Sequence, residues 1–161
     1  MQIKRLPMVE YIFVSTEDEY KEAISLFKEY AKWLNIDLSF QKFQEEIETI
    51  KNMYSLPFGS IILCKIDTNY IACIAIRPKG DDIAEFKRMY VKPNYQRNKI
   101  GETLLEMSLQ FAKNAGYKKV RLDTLNSMTP AMNLYEKNGF YKIDAYYFNP
   151  EPTAVYFEKT L

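Results

Sequence analysis

Two apolar runs, SIILCKI (60–66) and YIACIAI (70–76), separated only by Asp67, Thr68 and Asn69, constrain this chain more than any other stretch. Short, isoleucine-rich and divided by turn residues, they read as a hairpin of buried strands. The segment from Pro78 to Asp82 makes the next turn, and 83–91 reads as a third consecutive strand. The flanking sequence changes period. Upstream, residues 9–15 read as a strand, and Thr16 sits three residues before Glu19, a capping-box pattern. Tyr20, Ala23, Ile24, Phe27, Ala31 and Leu34 then recur at helical spacing, as do Phe43, Ile47, Ile50 and Tyr54 up to Pro57 and Gly59. Downstream, an apolar stripe of Ile100, Leu104, Leu105, Phe111, Ala112 and Ala115 predicts a helix ending at Gly116. Residues 120–125 predict a strand, and Thr129–Pro130 an N-cap and first-turn proline opening a helix that stops at Gly139. Aromatic-rich strands at about 140–147 and 154–160 close the chain around a Pro150/Pro152 turn.

Antiparallel neighbours followed by one strand–helix–strand crossover imply an α+β fold, with a mixed, mostly antiparallel sheet of about seven strands and about four helices. At 161 residues the chain reads as a single domain, 1–161, because either half alone would be close to the size at which one core becomes marginal.

Composition excludes whole classes of chemistry. There is no histidine, so Ser-His and Cys-His machinery, His-containing zinc sites and an imidazole base are ruled out. Proton transfer in an enzyme of this sequence must run through carboxylates, tyrosines, lysines, cysteines or water. Cys64 and Cys73 are too few for a metal site or a disulfide framework, and both lie in the apolar runs as reduced core residues. Twenty-two Lys and Arg against 21 Asp and Glu leave a net charge of +1. That balance opposes nucleic-acid binding and argues mildly against strongly anionic or polycationic substrates. No apolar stretch approaches the roughly 18 residues of a membrane span. With no signal-peptide pattern after Lys4 and Arg5, a cytoplasmic, membrane-free protein is expected.

The chemically informative stretch is 85–140. A strand ending Met89-Tyr90-Val91 runs through Pro93 into QRNKIG (96–101) and a helix start, where backbone N–H groups and the positive helix end form a ready phosphate site. Period-two alternation would put Ile83, Glu85, Lys87, Met89 and Val91 on one face of that strand.

This order of MYV, QRNKIG, amphipathic helix, AGY, strand and A-x-x-LYEKNGF resembles the GNAT superfamily of acetyl-CoA-dependent N-acetyltransferases. Gln96 and Gly101 match the first and last positions of the family's Q/R-x-x-G-x-G/A loop, whereas Lys99 stands where the first glycine is usual. Ala131 and LYEKNGF (134–140) match the helix that follows; WLNIDLSFQ (33–41) and YYFNPEP (146–152) suggest an uncharacterised bacterial branch. The resemblance implies acetyl-CoA as co-substrate, with the backbone of Met89, Tyr90 and Val91 beside its pantetheine arm. It implies that Gln96, Arg97, Asn98, Lys99, Ile100, Gly101 and Glu102 surround its pyrophosphate.

It further implies Tyr135 as the acid for the leaving thiolate and Glu85 as the base, acting directly or through water, with Asp123 the competing base. A phenol near 10 and a thiol near 8.5 make that proton transfer nearly balanced. The Val91 N–H is the candidate oxyanion donor. Arg77, Lys87 and Arg88 are candidate clamps for a substrate carboxylate, and Tyr146, Tyr147 and Phe148 are expected to pack against helices or wall the acceptor pocket. The implied activity is acetyl transfer to the primary amine of a small molecule or peptide, in a protein that relatives suggest can dimerise through its C-terminal strands. The competing reading is a non-catalytic acyl-CoA-binding module on the same fold, favoured by Lys99.

Overall fold

The computed structural model describes residues 3–161, apart from the side chain of Phe40. Seven strands form one sheet in the order β1-β2-β3-β4-β5-β7-β6. They are β1 Val9–Phe13, β2 Ser60–Ile66, β3 Asn69–Gly80, β4 Ile83–Val91, β5 Lys119–Leu125, β6 Tyr141–Ile143 and β7 Ala154–Thr160. Among the described residues only β4 and β5 pair parallel. The helices are α1 Glu17–Leu34, α2 Phe43–Glu48, α3 Ile50–Met53, α4 Ile100–Asn114 and α5 Thr129–Lys137. No helix among the described residues is long and apolar enough to cross a membrane.

The β2–β3 hairpin sits inside the sheet with helices on both faces, which is why its two strands read as unbroken apolar runs. On one face Ile62, Ile74, Ile76, Ala84 and Phe86 pack under α4 and α5. On the other, Ile61, Leu63, Cys73, Ala75 and Tyr90 meet Ala23, Leu26 and Phe27 of α1 and Ile50 of α3. Each fully buried Leu, Ile or Phe contributes roughly 1.5–3 kcal/mol. The capping box forms as expected: Glu19 N–H donates to Thr16 Oγ1 (3.2 Å) and the Thr16 N–H to Glu19 Oε2 (3.0 Å).

Four expectations are corrected. The second helical pattern is two helices, making five in all, because Thr49 leaves helical geometry (φ −114°, ψ 20°) and turns its hydroxyl back onto the Glu45 carbonyl at 2.8 Å. The cap of α5 is Met128 rather than Thr129, since the Met128 carbonyl accepts the first helical bond, from Met132 N–H. The strand expected over 140–147 lasts only from Tyr141 to Ile143. Residues 144–153 instead form a loop locked by Asn149 and Glu151 side chains that bond the Glu151 and Thr153 amides. Two prolines in that loop remove further ladder donors.

The fourth correction shapes the site. Cys73 pairs with Tyr90 but Ala75 pairs with Lys87, so β4 carries one extra residue and bulges. Arg88 takes up the bulge in left-handed geometry (φ 59°), and its carbonyl accepts the Cys73 thiol at 3.2 Å. Alternation breaks there. Glu85 and Lys87 lie on the α1–α3 face with Arg88 and Tyr90, whereas Met89 and Val91 turn to the α4 face.

Candidate active site

β4 and β5 pair only where Ile83, Ala84 and Glu85 meet Lys119, Val120 and Arg121. Beyond this point the strands part, and the ends of both strands border an opening in the middle of the sheet. On β4 the Lys92 N–H bonds the Ile71 carbonyl at 2.9 Å. By antiparallel alternation the Val91 N–H and C=O therefore point away from β3, toward the opening. The Val91 carbonyl accepts from the Gln96 side-chain Nε2 at 3.1 Å, tying the start of the loop to the strand end.

The loop 96–101 delivers a row of amides beside this opening. The first helical bond of α4 is Thr103 N–H to the Lys99 carbonyl at 3.0 Å, so Ile100, Gly101 and Glu102 have no helical partner. Nor do Arg97, Asn98 and Lys99 donate a backbone hydrogen bond among the described residues, leaving six consecutive amides free. Arg97 (φ 70°) and Lys99 (φ 59°) both adopt left-handed geometry to aim the chain this way. The position where glycine is usual does require positive φ, and Lys99 meets it within the small region open to L-residues. A Cβ at Gly101 would meet the Val91 and Leu134 side chains at 3.8 Å, ordinary contact that fits the Gly-or-Ala tolerance expected there.

Tyr135 on α5 is buried between the rings of Phe140 and Phe157 (centroids at 5.7 and 5.8 Å). Its hydroxyl makes no hydrogen bond among the described residues. Burial pushes this phenol well above its ordinary value, with the nearby Tyr30 and Asp123 adding to the shift. The near-balanced transfer expected with a thiol therefore becomes uphill in this environment.

Glu85 is 1% exposed, and both of its oxygens are engaged. Arg77 donates to Oε1 from Nε (2.8 Å) and Nη2 (2.7 Å), and Tyr146 donates to Oε2 at 2.7 Å. Burial raises this carboxyl, but Lys87, Arg77 and the Tyr146 hydroxyl together more than reverse that and hold it below its usual value. Asp123 behaves oppositely: burial raises it, against the pull of Lys87 and a 2.8 Å hydrogen bond from Tyr147. Beside Asp123 is a recess of about 40 Å³ bordered by Tyr30, Lys87 and Arg88, large enough for water. Adjoining it is a wider cleft of about 210 Å³, lined among others by Gln41, Arg77, Lys79, Glu85, Lys87 and Tyr147.

Burial and the neighbouring Arg88 pull the Lys87 ammonium down to about 8, despite Glu85. Arg88 forks onto both oxygens of Glu46 on α2 (3.0 and 2.8 Å), an ion pair closed to solvent. It also donates to Gln41 at 2.8 Å, so it is not open to clamp a substrate. Sequence reasoning missed Gln41 and Glu46 altogether, and it missed the use of Tyr146 and Tyr147 as donors to the two carboxylates. Phe148, the third aromatic of that run, is 84% exposed and walls nothing.

A split sheet with free amides at a helix N-terminus has the make-up of a phosphate site. The model of the acetyltransferase (GNAT) family matches residues 10–140. The chain is 33% identical over 141 residues to an uncharacterized N-acetyltransferase of Schizosaccharomyces pombe, covering 86% of this chain and 85% of that protein. A PaiA N-acetyltransferase from Thermoplasma acidophilum, solved in complex with coenzyme A, superposes with a TM-score of 0.72 at 24% identity, covering 96% of this chain and 99% of that one. A GNAT family acetyltransferase from Elizabethkingia anophelis with acetyl-CoA bound gives a TM-score of 0.58 at 30% identity, covering 71% and 82% respectively. The chain belongs to the GNAT family of N-acetyltransferases. Because its relatives include a fission-yeast protein, the similarity does not single out a bacterial branch.

Proposed function

We propose that the protein transfers acetyl from acetyl-CoA to a primary amine of a small molecule or peptide, by direct attack of the amine on the thioester. The observation that carries this reading is the row of six free amides, 97–102, opening beside the parted ends of β4 and β5. The amides and the positive end of α4 suit the pyrophosphate, and the outward-facing backbone of Val91 suits the pantetheine arm as an added strand edge. The same Val91 N–H would stabilise the oxyanion of the tetrahedral intermediate.

Tyr135 stays protonated at neutral pH and serves as the donor to the departing sulfur. With its phenol so far raised, this is mainly a strong hydrogen bond to the thiolate. For the amine proton, Asp123 is the better acceptor than Glu85. Its carboxyl is raised and borders the water-sized recess, whereas the oxygens of Glu85 are engaged and its basicity is reduced. Glu85 acts here as a positioning residue, holding Arg77, Lys87 and Tyr146. The free nitrogen attacks the carbonyl carbon, the C–S bond breaks, the amine proton passes through water to Asp123, and CoA leaves.

The test is thiol release from acetyl-CoA against a panel of amines, with thermal stability measured in CoA. Binding at 100 times the Kd raises stability by about 2.7 kcal/mol. Neither thiol release nor a CoA-dependent shift would overturn the reading. A CoA shift without turnover of any amine would favour the non-catalytic module.

A further inference from the structure

The wider cleft is more cationic than the chain as a whole. Lys42, Arg77, Lys79 and Lys87 line it against only Glu45 and Glu85, and the Glu85 carboxylate is already neutralised by Arg77. Lys79 lies over the rings of Tyr146 and Tyr147 (5.6 and 5.4 Å) and, like Lys42, has no carboxylate partner among the described residues. Glu45 is exposed.

Lys87 is the decisive group. Its side chain is 5% exposed, yet its nearest carboxylate oxygen, Glu85 Oε1, is 3.9 Å away and already accepts twice from Arg77. Its one hydrogen bond, to Gln41 Oε1, is a stretched 3.5 Å and shares that acceptor with Arg88 at 2.8 Å. An ammonium has three donors, so this one is buried with most of its capacity unmet while lining the cleft. Such an arrangement is costly unless an anion completes it.

Resting on the acetyl-transfer reading above, we propose that the acceptor carries a carboxylate beside its amine, an amino-acid-like zwitterion whose carboxylate is held by Lys87 and Lys79. The cleft, of about 210 Å³, has room for a molecule of amino-acid size. A zwitterion also suits a protein of near-neutral overall charge. The same cations disfavour a protonated amine in the cleft, which helps deliver the neutral nucleophile.

The experiment compares matched sets in the thiol-release assay: amino acids, their carboxamides, and the corresponding decarboxylated amines. A hydrogen-bonded charge pair is worth about ten- to a hundredfold, so at least one amino acid should exceed its amide in kcat/KM by that factor. Lys87→Met and the surface variant Lys79→Gln should each erode the ratio, the second keeping the test alive if the first does not fold. Amides or polyamines turned over as well as the acids would overturn the proposal and leave acetyl transfer standing. If no amine reacts, acetyl transfer fails instead. The anion site is then judged by N-acetylamino acids added at millimolar concentration to the CoA complex: a thermal shift lost in Lys87→Met upholds it, and no shift overturns it.

Discussion

Replacing Glu85 by Gln separates a structural carboxylate from a catalytic one. The amide keeps the shape and an acceptor for Tyr146, but removes the counter-charge of Arg77 and Lys87. Breaking a buried pair by deleting one partner costs about 3–5 kcal/mol. The Arg77 side chain is 23% exposed and can rehydrate, which places its share near the lower end. Lys87 cannot rehydrate, but with its ammonium already at about 8 it can shed a proton, at about 1.4 kcal/mol per pH unit, so its share is capped near that at pH 7. The sum is about 4 kcal/mol, a fall in Tm of about 8–16 °C for a chain of this size. Sign matters for the Lys87 share. Glu85 holds the ammonium of Lys87 up, so their attraction counts while that ammonium is charged and fades as pH rises through about 8. The gap between variant and wild type should narrow from pH 7 to pH 9, leaving the part due to Arg77. Thermal melts across that range, beside kcat, make the measurement. A variant that melts within about 2 °C of wild type at pH 7, yet loses the low-pH limb of its rate profile, would refute the positioning argument and return Glu85 to the role of base.

Tyr135→Phe removes a hydroxyl that bonds no protein group, so Tm should hold while kcat falls by about a hundredfold, the low end for loss of a proton donor; an unchanged rate would remove Tyr135 from the chemistry. Lys99→Gly relieves left-handed strain of roughly 1–2 kcal/mol against a glycine entropy penalty of about 0.5–1 kcal/mol, so Tm in scanning calorimetry should hold or rise by a few degrees. Glu158 is held down to about 2, chiefly by the Tyr141 hydroxyl at 2.6 Å and then by Arg121 at 2.8 Å. Its contribution to stability is present above its ordinary carboxylate value and lost as pH falls through about 2, and Glu158→Gln should flatten urea-measured stability over that acid window.

Period and turn chemistry made most of the fold legible. The β2–β3 hairpin, the Thr16 cap, the α4 stripe and both helix-ending glycines, Gly116 (φ 90°) and Gly139 (φ 87°), follow from local rules that nothing distant overrides. Three of the four errors share one cause, which is side chains bonding out of register with their own element. Thr49 turns back on Glu45, Asn149 and Glu151 bond a loop where alternation reads strand, and Arg88 leaves the β4 ladder to reach Glu46 across the α1–α3 face. Composition and period carry no record of such bonds.

The Arg88 bulge explains why the site was only half legible. The loop amides are main-chain groups at a place set by local sequence, so QRNKIG before a helix was enough to locate them. The acceptor side depends on which way each β4 side chain points, and one inserted residue reverses the facing of Met89 and Val91 relative to Glu85 and Lys87. Because of that reversal, the groups proposed for the cofactor and those proposed for the acceptor fall on opposite faces of the sheet, on either side of the opening between β4 and β5. Two reactants that approach from opposite faces and meet in such an opening can be bound independently and still collide in line. On the proposed function the bulge would serve the chemistry rather than being a defect in the strand.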